Sequence, residues 1–198
     1  MKVYISQDTL SKGLSMVSRA VAARSTMPVL ANILLATDQG QLKLSATNLE
    51  IGINCWVDAQ VEDEGAITVP ARLLSEYVSN LPNERVAMEM AETCTLNLSC
   101  ARIKTTLRGI EATEFPAIPV VTDAPSFDLA PDLLKEMVSQ VAFAATTRDA
   151  AVLSGILASF DGPAGALTLA AADGFRLSVR SASLPSGNQQ GDVIIPAY

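Results

Sequence analysis

The feature that most constrains this chain is an internal repeat. Val29-Leu30-Ala31-Asn32-Ile33-Leu34 is echoed by Val152-Leu153-Ser154-Gly155-Ile156-Leu157, an offset of 123. Gly40-Gln41-Leu42-Lys43-Leu44-Ser45-Ala46 is echoed by Gly165-Ala166-Leu167-Thr168-Leu169-Ala170-Ala171 at an offset of 125. Ile67-Thr68-Val69-Pro70-Ala71 is echoed by Val193-Ile194-Ile195-Pro196-Ala197 at an offset of 126. Matches that keep their order while the offset drifts slowly are what loop insertions between equivalent elements produce. The chain must therefore fold as copies of one unit.

Each copy opens on a helical pattern. Leu10, Leu14, Val17 and Val21 fall on one helix face, with Asp8 placed to cap it. Leu134, Met137, Val138 and Val141 repeat that face, with Pro131 suited to a first turn. Short β-type runs follow at 33–36, 41–46 and 51–57, with Asp38-Gln39-Gly40 as a turn signal. Pro70 then opens a second helix with Leu73, Leu74, Tyr77 and Val78 as its apolar stripe, and Leu81-Pro82-Asn83 ends it. Runs 86–90, 93–99 and 103–107 supply further strands. The first unit thus reads as two helices and about six to eight strands, an α+β module with helices packed on antiparallel sheet.

Pro116, Pro119 and Pro125 mark a linker, so the expected division is a first domain over 1–120 and a second over 126–198. The second copy reaches Tyr198 where the match to Pro70-Ala71 places its second helix. The expectation is a second domain cut short, its sheet left with an uncovered apolar face.

Chemistry is narrowed by what the chain lacks. It has no histidine, which removes Ser-His-Asp and Cys-His nucleophile pairs and His-ligated zinc or haem. Cys55, Cys94 and Cys100 are odd in number and lack a C-x-x-C spacing, the pattern of a reduced, cytoplasmic chain. Glu62-Asp63-Glu64 are consecutive, so their side chains do not converge as catalytic carboxylates, and they read as a solvated turn. No run reaches the ~18 apolar residues of a membrane span. No cofactor and no metal are expected. The net charge of −7 argues against gripping nucleic acid by bulk charge.

Taken together, these segments resemble a known family: the bacterial DNA polymerase III beta subunit, the sliding clamp. The resemblance rests on Met27-Pro28-Val29-Leu30-Ala31-Asn32-Ile33-Leu34-Leu35, Ala46-Thr47-Asn48-Leu49-Glu50-Ile51-Gly52-Ile53, Thr68-Val69-Pro70-Ala71 and Glu114-Phe115-Pro116. It continues through Ala172-Asp173-Gly174-Phe175-Arg176-Leu177 and Ile194-Ile195-Pro196-Ala197. It implies the DNA-clamp fold, with three such domains per chain closing head-to-tail as a homodimeric ring around duplex DNA. This chain would then hold the first domain, most of the second and none of the third. Two positions depart from the family pattern: Phe175 stands where His is usual, and Ala172 where Thr is common.

The resemblance also implies sites. Basic residues off the apolar stripes are candidate duplex contacts: Lys12, Arg19, Arg24, Arg72 and Arg148, with Lys135 in a similar place. Each taken singly also reads as a solvated helix face. Leu153, Ala172, Gly174, Phe175, Arg176 and Leu177 are the candidate wall of a cleft for linear peptides. Ile103, Thr105 and Leu107 alternate on either an edge strand that meets a second protomer or a closing core strand. The implied role is a non-enzymatic processivity factor that holds double-stranded DNA independently of sequence. Its implied partners are the polymerase III alpha subunit and clamp-loader subunits, bound through linear peptides. A repeat-built peptide-binding module that never encircles DNA is the alternative, and an enzyme with a His-free carboxylate or lysine site is a remoter one.

Overall fold

The extended run Lys2–Ser6 (β1) passes directly into a helix, Gln7–Val17 (α1), and the junction shows why. Ser6 keeps extended backbone while its Oγ accepts the Thr9 N–H at 3.1 Å, an N-cap that frees the next residues to turn helical. The cap is Ser6 and not Asp8. Asp8 lies inside the first turn, where its charge complements the helix dipole. This computed structural model describes residues 1–22, 26–91, 94–119, 128–146, 153–184 and 190–197. Arg24, Arg148, Thr93, Pro125 and Ser126 lie outside them.

Two compact units are present, Met1–Pro119 and Val120–Tyr198. In the first, α1 and a 3-10 turn at Ser18–Ala20 are followed by Asn32–Asp38 (β2), Gln41–Thr47 (β3), Gly52–Val57 (β4), Gln60–Asp63 (β5) and Ala66–Pro70 (β6). Then come Ala71–Ser79 (α2), Arg85–Ala91 (β7), Thr95–Cys100 (β8), Ile103–Arg108 (β9) and Ile110–Glu111 (β10). The strands form two sheets, ordered β5-β1-β7-β8-β9 and β10-β6-β2-β3-β4. The strand before each helix joins the meander that follows the other helix: β1 pairs with β7, and β6 with β2. That exchange locks the two halves of the unit into one core. The β2–β3 hairpin turns through Gln39 and Gly40, both at positive φ (49° and 79°), the twist that a two-residue loop demands.

One continuous core joins both helices to both sheets. It takes Leu10, Leu14 and Val17 from α1, Leu74 and Val78 from α2, Leu35, Leu42 and Leu44 from one sheet, and Val86, Met88, Leu96 and Leu98 from the other. Val21 packs against this core from beyond the helix. Leu73 does not join it: the buried stripe of α2 is Ala71, Leu74 and Val78, and Leu73, a step of ~100° round the helix from Leu74, is exposed. The expected acidic turn at 62–64 is also corrected. Gln60–Asp63 is a strand on β1, and Glu62 sits 2.9 Å from the Lys2 Nζ. With β5 and β10 added, the first unit has ten strands among its described residues.

The second unit begins with Pro131–Val141 (α3) and a 3-10 turn at Ala142–Ala144. It continues through Gly155–Asp161 (β11), Ala166–Ala172 (β12), Leu177–Ser183 (β13) and Gln190–Pro196 (β14). The sheet order β13-β12-β11-β14 reproduces β4-β3-β2-β6, strand for strand. Met137 and Val141 of α3 are buried against Ile156, Ala158, Leu167, Leu169 and Ala171. Leu134 is exposed instead, since a helix beginning at Pro131 turns Leu133 and Met137 to the sheet. Val193 and Ile195 share the α3 side of the sheet by register, yet about half of each remains exposed (50% and 44%). Their counterparts in the first unit, Ile67 and Val69, are fully buried in its core.

The three cysteines are unpaired, and burial pushes the Cys100 thiol above its ordinary range. No helix among the described residues is long and apolar enough to cross a membrane.

Candidate functional site

Strand alternation sends Ile156 and Ala158 of β11 and Leu167, Leu169 and Ala171 of β12 into the α3 core. It therefore sends Leu157, Ala170 and Ala172 to the opposite face. Register then completes that face: Leu157 lies beside Ala170 and Ile194, and Ala172 beside Leu177. The result is an apolar groove of about 250 Å³ whose walls include Leu153, Leu157, Ala170, Ala172, Leu177 and Ile194. Leucine and isoleucine side chains here stay in contact with solvent, with 69% of Leu177 and 51% of Ile194 exposed. Such a patch, small and contiguous, is what an apolar side chain from elsewhere fits.

Three of the sequence-predicted cleft residues, Leu153, Ala172 and Leu177, meet in this groove. Gly174, Phe175 and Arg176 form the loop that joins β12 to β13 at its rim. Asp173 builds that loop: its Oδ1 accepts the N–H groups of Phe175 (3.0 Å) and Arg176 (3.1 Å), and its Oδ2 accepts the Arg176 Nε at 2.9 Å. Gly174 takes φ +89°, a conformation that glycine adopts without strain. These bonds, the Phe175 N–H first, hold the Asp173 carboxyl below the usual carboxylate range. The Arg176 guanidinium also lies 5.6 Å from the centre of the Phe143 ring. Phe175, at the tip, is 96% exposed.

Leu157, Ala170 and Ile194 escaped the sequence reading. Leu157 and Ile194 sit in unbroken apolar runs, Ile156-Leu157 and Val193-Ile194-Ile195, where composition hides which residue faces which side. The repeat itself carried the missing signal, because Leu34 and Thr68 flank one another in the first copy as Leu157 and Ile194 do in the second.

The basic candidates divide differently. Lys12 and Arg72 stand on the outward faces of α1 and α2, and Arg19 on the 3-10 turn after α1. The helices are adjacent, with Ser18 and Ser75 hydroxyls 3.4 Å apart. Two of the cations are already paired: Lys12 Nζ to Asp8 at 2.7 Å, and Arg72 Nε to Glu76 at 2.8 Å. Arg19 enters none of the ion pairs found among the described residues. Lys135 is exposed on α3. Ile103, Thr105 and Leu107 lie on β9, the terminal strand of its sheet. Ile103 is exposed, whereas Leu107 packs partly against the core. No cluster of three potential metal ligands occurs among the described residues.

Comparison with known proteins agrees over nearly the whole chain. The family model of the DNA polymerase III beta subunit, N-terminal domain, matches residues 1–119, and that of the central domain matches residues 128–198. The beta sliding clamp of Synechocystis sp. is 36% identical, with 98% of this chain aligned to 52% of the relative. That of Pseudomonas aeruginosa is 32% identical, with 99% aligned to 54%. Among solved structures, a DNA polymerase III beta subunit from Eubacterium rectale superposes with a TM-score of 0.93 at 31% identity, covering all of this chain and 54% of that one. A Pseudomonas aeruginosa sliding clamp solved bound to griselimycin gives 0.88 at 32% identity, with 100% and 54% covered. The chain thus spans about half the length of the relatives it matches. The order of its strands, the repeat between its two units and these matches lead to one family: the chain belongs to the DNA polymerase III beta subunit family.

Proposed function

We propose that this chain supplies the first and central domains of a sliding clamp, a DNA polymerase processivity factor that encircles duplex DNA. The observation that carries the reading is the open apolar groove around Leu177 on a chain of this family. Replication and repair proteins dock there through linear peptides, among them the polymerase III alpha subunit and clamp-loader subunits. Tethering raises their effective concentration at the primer end, so the activity requires no catalytic group. Leu153, Ala172 and Leu177 supply the groove wall, and Gly174, Phe175 and Arg176 its rim. Lys12, Arg19 and Arg72 face the duplex, joined by Arg24 and Arg148. Their contacts are to phosphates, so binding is independent of sequence and falls with salt. The free edge of β9, with Ile103, Thr105 and Leu107, pairs with a second protomer to close a ring in the cytoplasm.

The test is retention on DNA by a version of the chain carrying the full length of its relatives. Loaded on closed circular plasmid, it is expected to remain bound through a gel-filtration column and to be lost after the plasmid is linearised. Equal loss from both forms would leave a peptide-binding module and sink the ring.

A further inference from the structure

Strands β4 and β13 are the same strand in two copies, each outermost in its sheet. The same turn leads into both: Asn48 Oδ1 accepts the N–H groups of Glu50 (3.0 Å) and Ile51 (2.8 Å), as Asp173 Oδ1 accepts those of Phe175 and Arg176. Register makes Ser178 the counterpart of Ile53, Arg180 that of Cys55 and Ala182 that of Val57, all on the helix side of the sheet. In the first unit this seam is apolar. Ile53, Cys55 and Val57 pack in or against the core, and a methyl added at Gly13 of α1 would come within 3.0 Å of Val57 Cγ1. In the second unit the seam is hydrogen-bonded, and one helix residue holds it. Gln140, in the last turn of α3, accepts the Ser178 hydroxyl at its backbone carbonyl (2.7 Å) and the Arg180 Nε at its side-chain Oε1 (2.8 Å). Its Nε2 donates to Glu136 Oε1 at 3.0 Å, so the helix itself turns the amide oxygen toward the strand.

The strand that Gln140 grips also carries a wall of the groove. Side chains alternate along it, so Ser178 and Arg180 face α3 while Leu177 lines the groove and Val179 stands beside Ala170 on the same side. An outermost strand has a ladder on one side only, so its contacts across the sheet fix how it leans. We propose that Gln140 is a positioning residue of the groove: it lies on the opposite face, touches no occupant, and through Ser178 and Arg180 sets where β13 holds Leu177. The assignment rests on the peptide-cleft reading and adds to it a control on the wall from behind the sheet.

The test uses the 198-residue chain with labelled Leu, Val and Ile methyl groups, and a capped hexapeptide carrying two adjacent leucines. Gln140→Met keeps the side-chain length and removes both amide contacts. It is expected to shift the methyl signals of Leu177 and Val179 while those of Ile194, on the far outer strand, stay in place. Peptide affinity should fall about two- to fivefold, the range of one hydrogen bond. Gln140→Glu keeps an oxygen for Arg180 while giving up the bond to Glu136, and should restore both signals and affinity. Arg180→Met should reproduce Gln140→Met, and the double variant should bind no worse than either single one, because the two side chains act as one contact. Unmoved Leu177 signals with parent-like affinity in Gln140→Met overturn the proposal, and so do additive losses in the double variant. Shifts at Ile194 as large as those at Leu177 would mean general loosening of the unit and overturn it too. If the parent binds no peptide and Leu177→Lys changes nothing, the cleft reading fails first, and the role assigned to Gln140 falls with it.

Discussion

Gly52 and Leu177 occupy the same position in two copies of one sheet, opposite Thr47 in the first unit and Ala172 in the second. Leu177 stands open to solvent. A methyl added at Gly52 would come within 2.7 Å of Ile118 Cγ2, because Ile118 already fills that place. The chain leaves β10 beside Thr68 at one edge of the sheet and reaches Ile118 over Gly52 on the other outer strand, so residues 111–118 cross the face between. Beneath them lie Asn32, Ser45, Thr47 and Thr68, all buried and hydrogen-bonded. Their counterparts are Gly155, Ala170, Ala172 and Ile194, which line the open groove. One fold element thus serves as a closed, polar-lined face in one unit and an open, apolar one in the other.

A leucine at Gly52 should overpack this face. Gly52→Leu is expected to cost about 1–3 kcal/mol of stability, the usual scale for adding methylenes to a filled site. Chemical denaturation followed by Trp56, the single tryptophan and a first-unit residue, would measure it. Combining it with Ile118→Ala should recover part of the loss. Additive losses in the double variant would mean that the two residues do not share the space.

Leu177→Lys should abolish capture of apolar-anchored peptides while leaving the fold intact, because Leu177 packs little against its own unit (69% exposed). A loss of at least about tenfold is expected, since burying one leucine side chain contributes ~1.5–3 kcal/mol. A fluorescence-anisotropy titration with unchanged affinity would remove Leu177 from the site.

The repeat made much of this architecture legible. Offsets of 123 to 126 between equivalent segments foretold strands β11, β12 and β14, because side chains of the same polarity recur wherever the same face meets a core. The loop from Ala172 to Leu177 was legible through resemblance, and Leu153, Ala172 and Leu177 do line one groove. What stayed hidden was orientation inside apolar runs. Leu73 and Leu74 have the same hydrophobicity, yet one is exposed and the other buried, and Ile194 and Ile195 face opposite sides of their sheet, as the partner strand or helix beside them decides. The strand at Gln60–Asp63 was hidden too, since an edge strand that faces water on one side tolerates Glu and Asp. The Lys12 and Arg72 ion pairs needed only the i,i+4 spacing to be foreseen.

Arg72 is held by Glu76 on the helix face that carries the candidate duplex contacts, so removing the carboxylate should strengthen DNA binding. Glu76→Gln is expected to tighten association with a short duplex and to steepen its dependence on salt by up to about 0.9 in log–log slope, the contribution of one added phosphate contact. Arg72→Ala should shift both quantities the other way. A salt titration by filter binding or anisotropy decides it, and slopes identical in both variants would exclude Arg72 from the interface.

Acid should loosen one loop and spare its twin. Asp173 is held below the ordinary carboxylate value of about 3.9 by the Phe175 N–H, the Arg176 N–H and the Arg176 side chain. A carboxyl whose folded pKa is depressed stabilises the native loop above the unfolded value, and that contribution is lost as pH falls through the folded one. The loop should therefore be unchanged from neutral pH to about pH 4 and lose its order below. Asn48 does not titrate, so the matching loop at Asn48–Ile51 provides the control within the same chain. Amide shifts and exchange at Phe175 and Arg176, followed against Glu50 and Ile51 down the acid range, make the comparison. The expected result is a transition below about pH 4 at Phe175 and Arg176 alone; coincident transitions in both loops would point to unfolding of the chain and not to titration of Asp173.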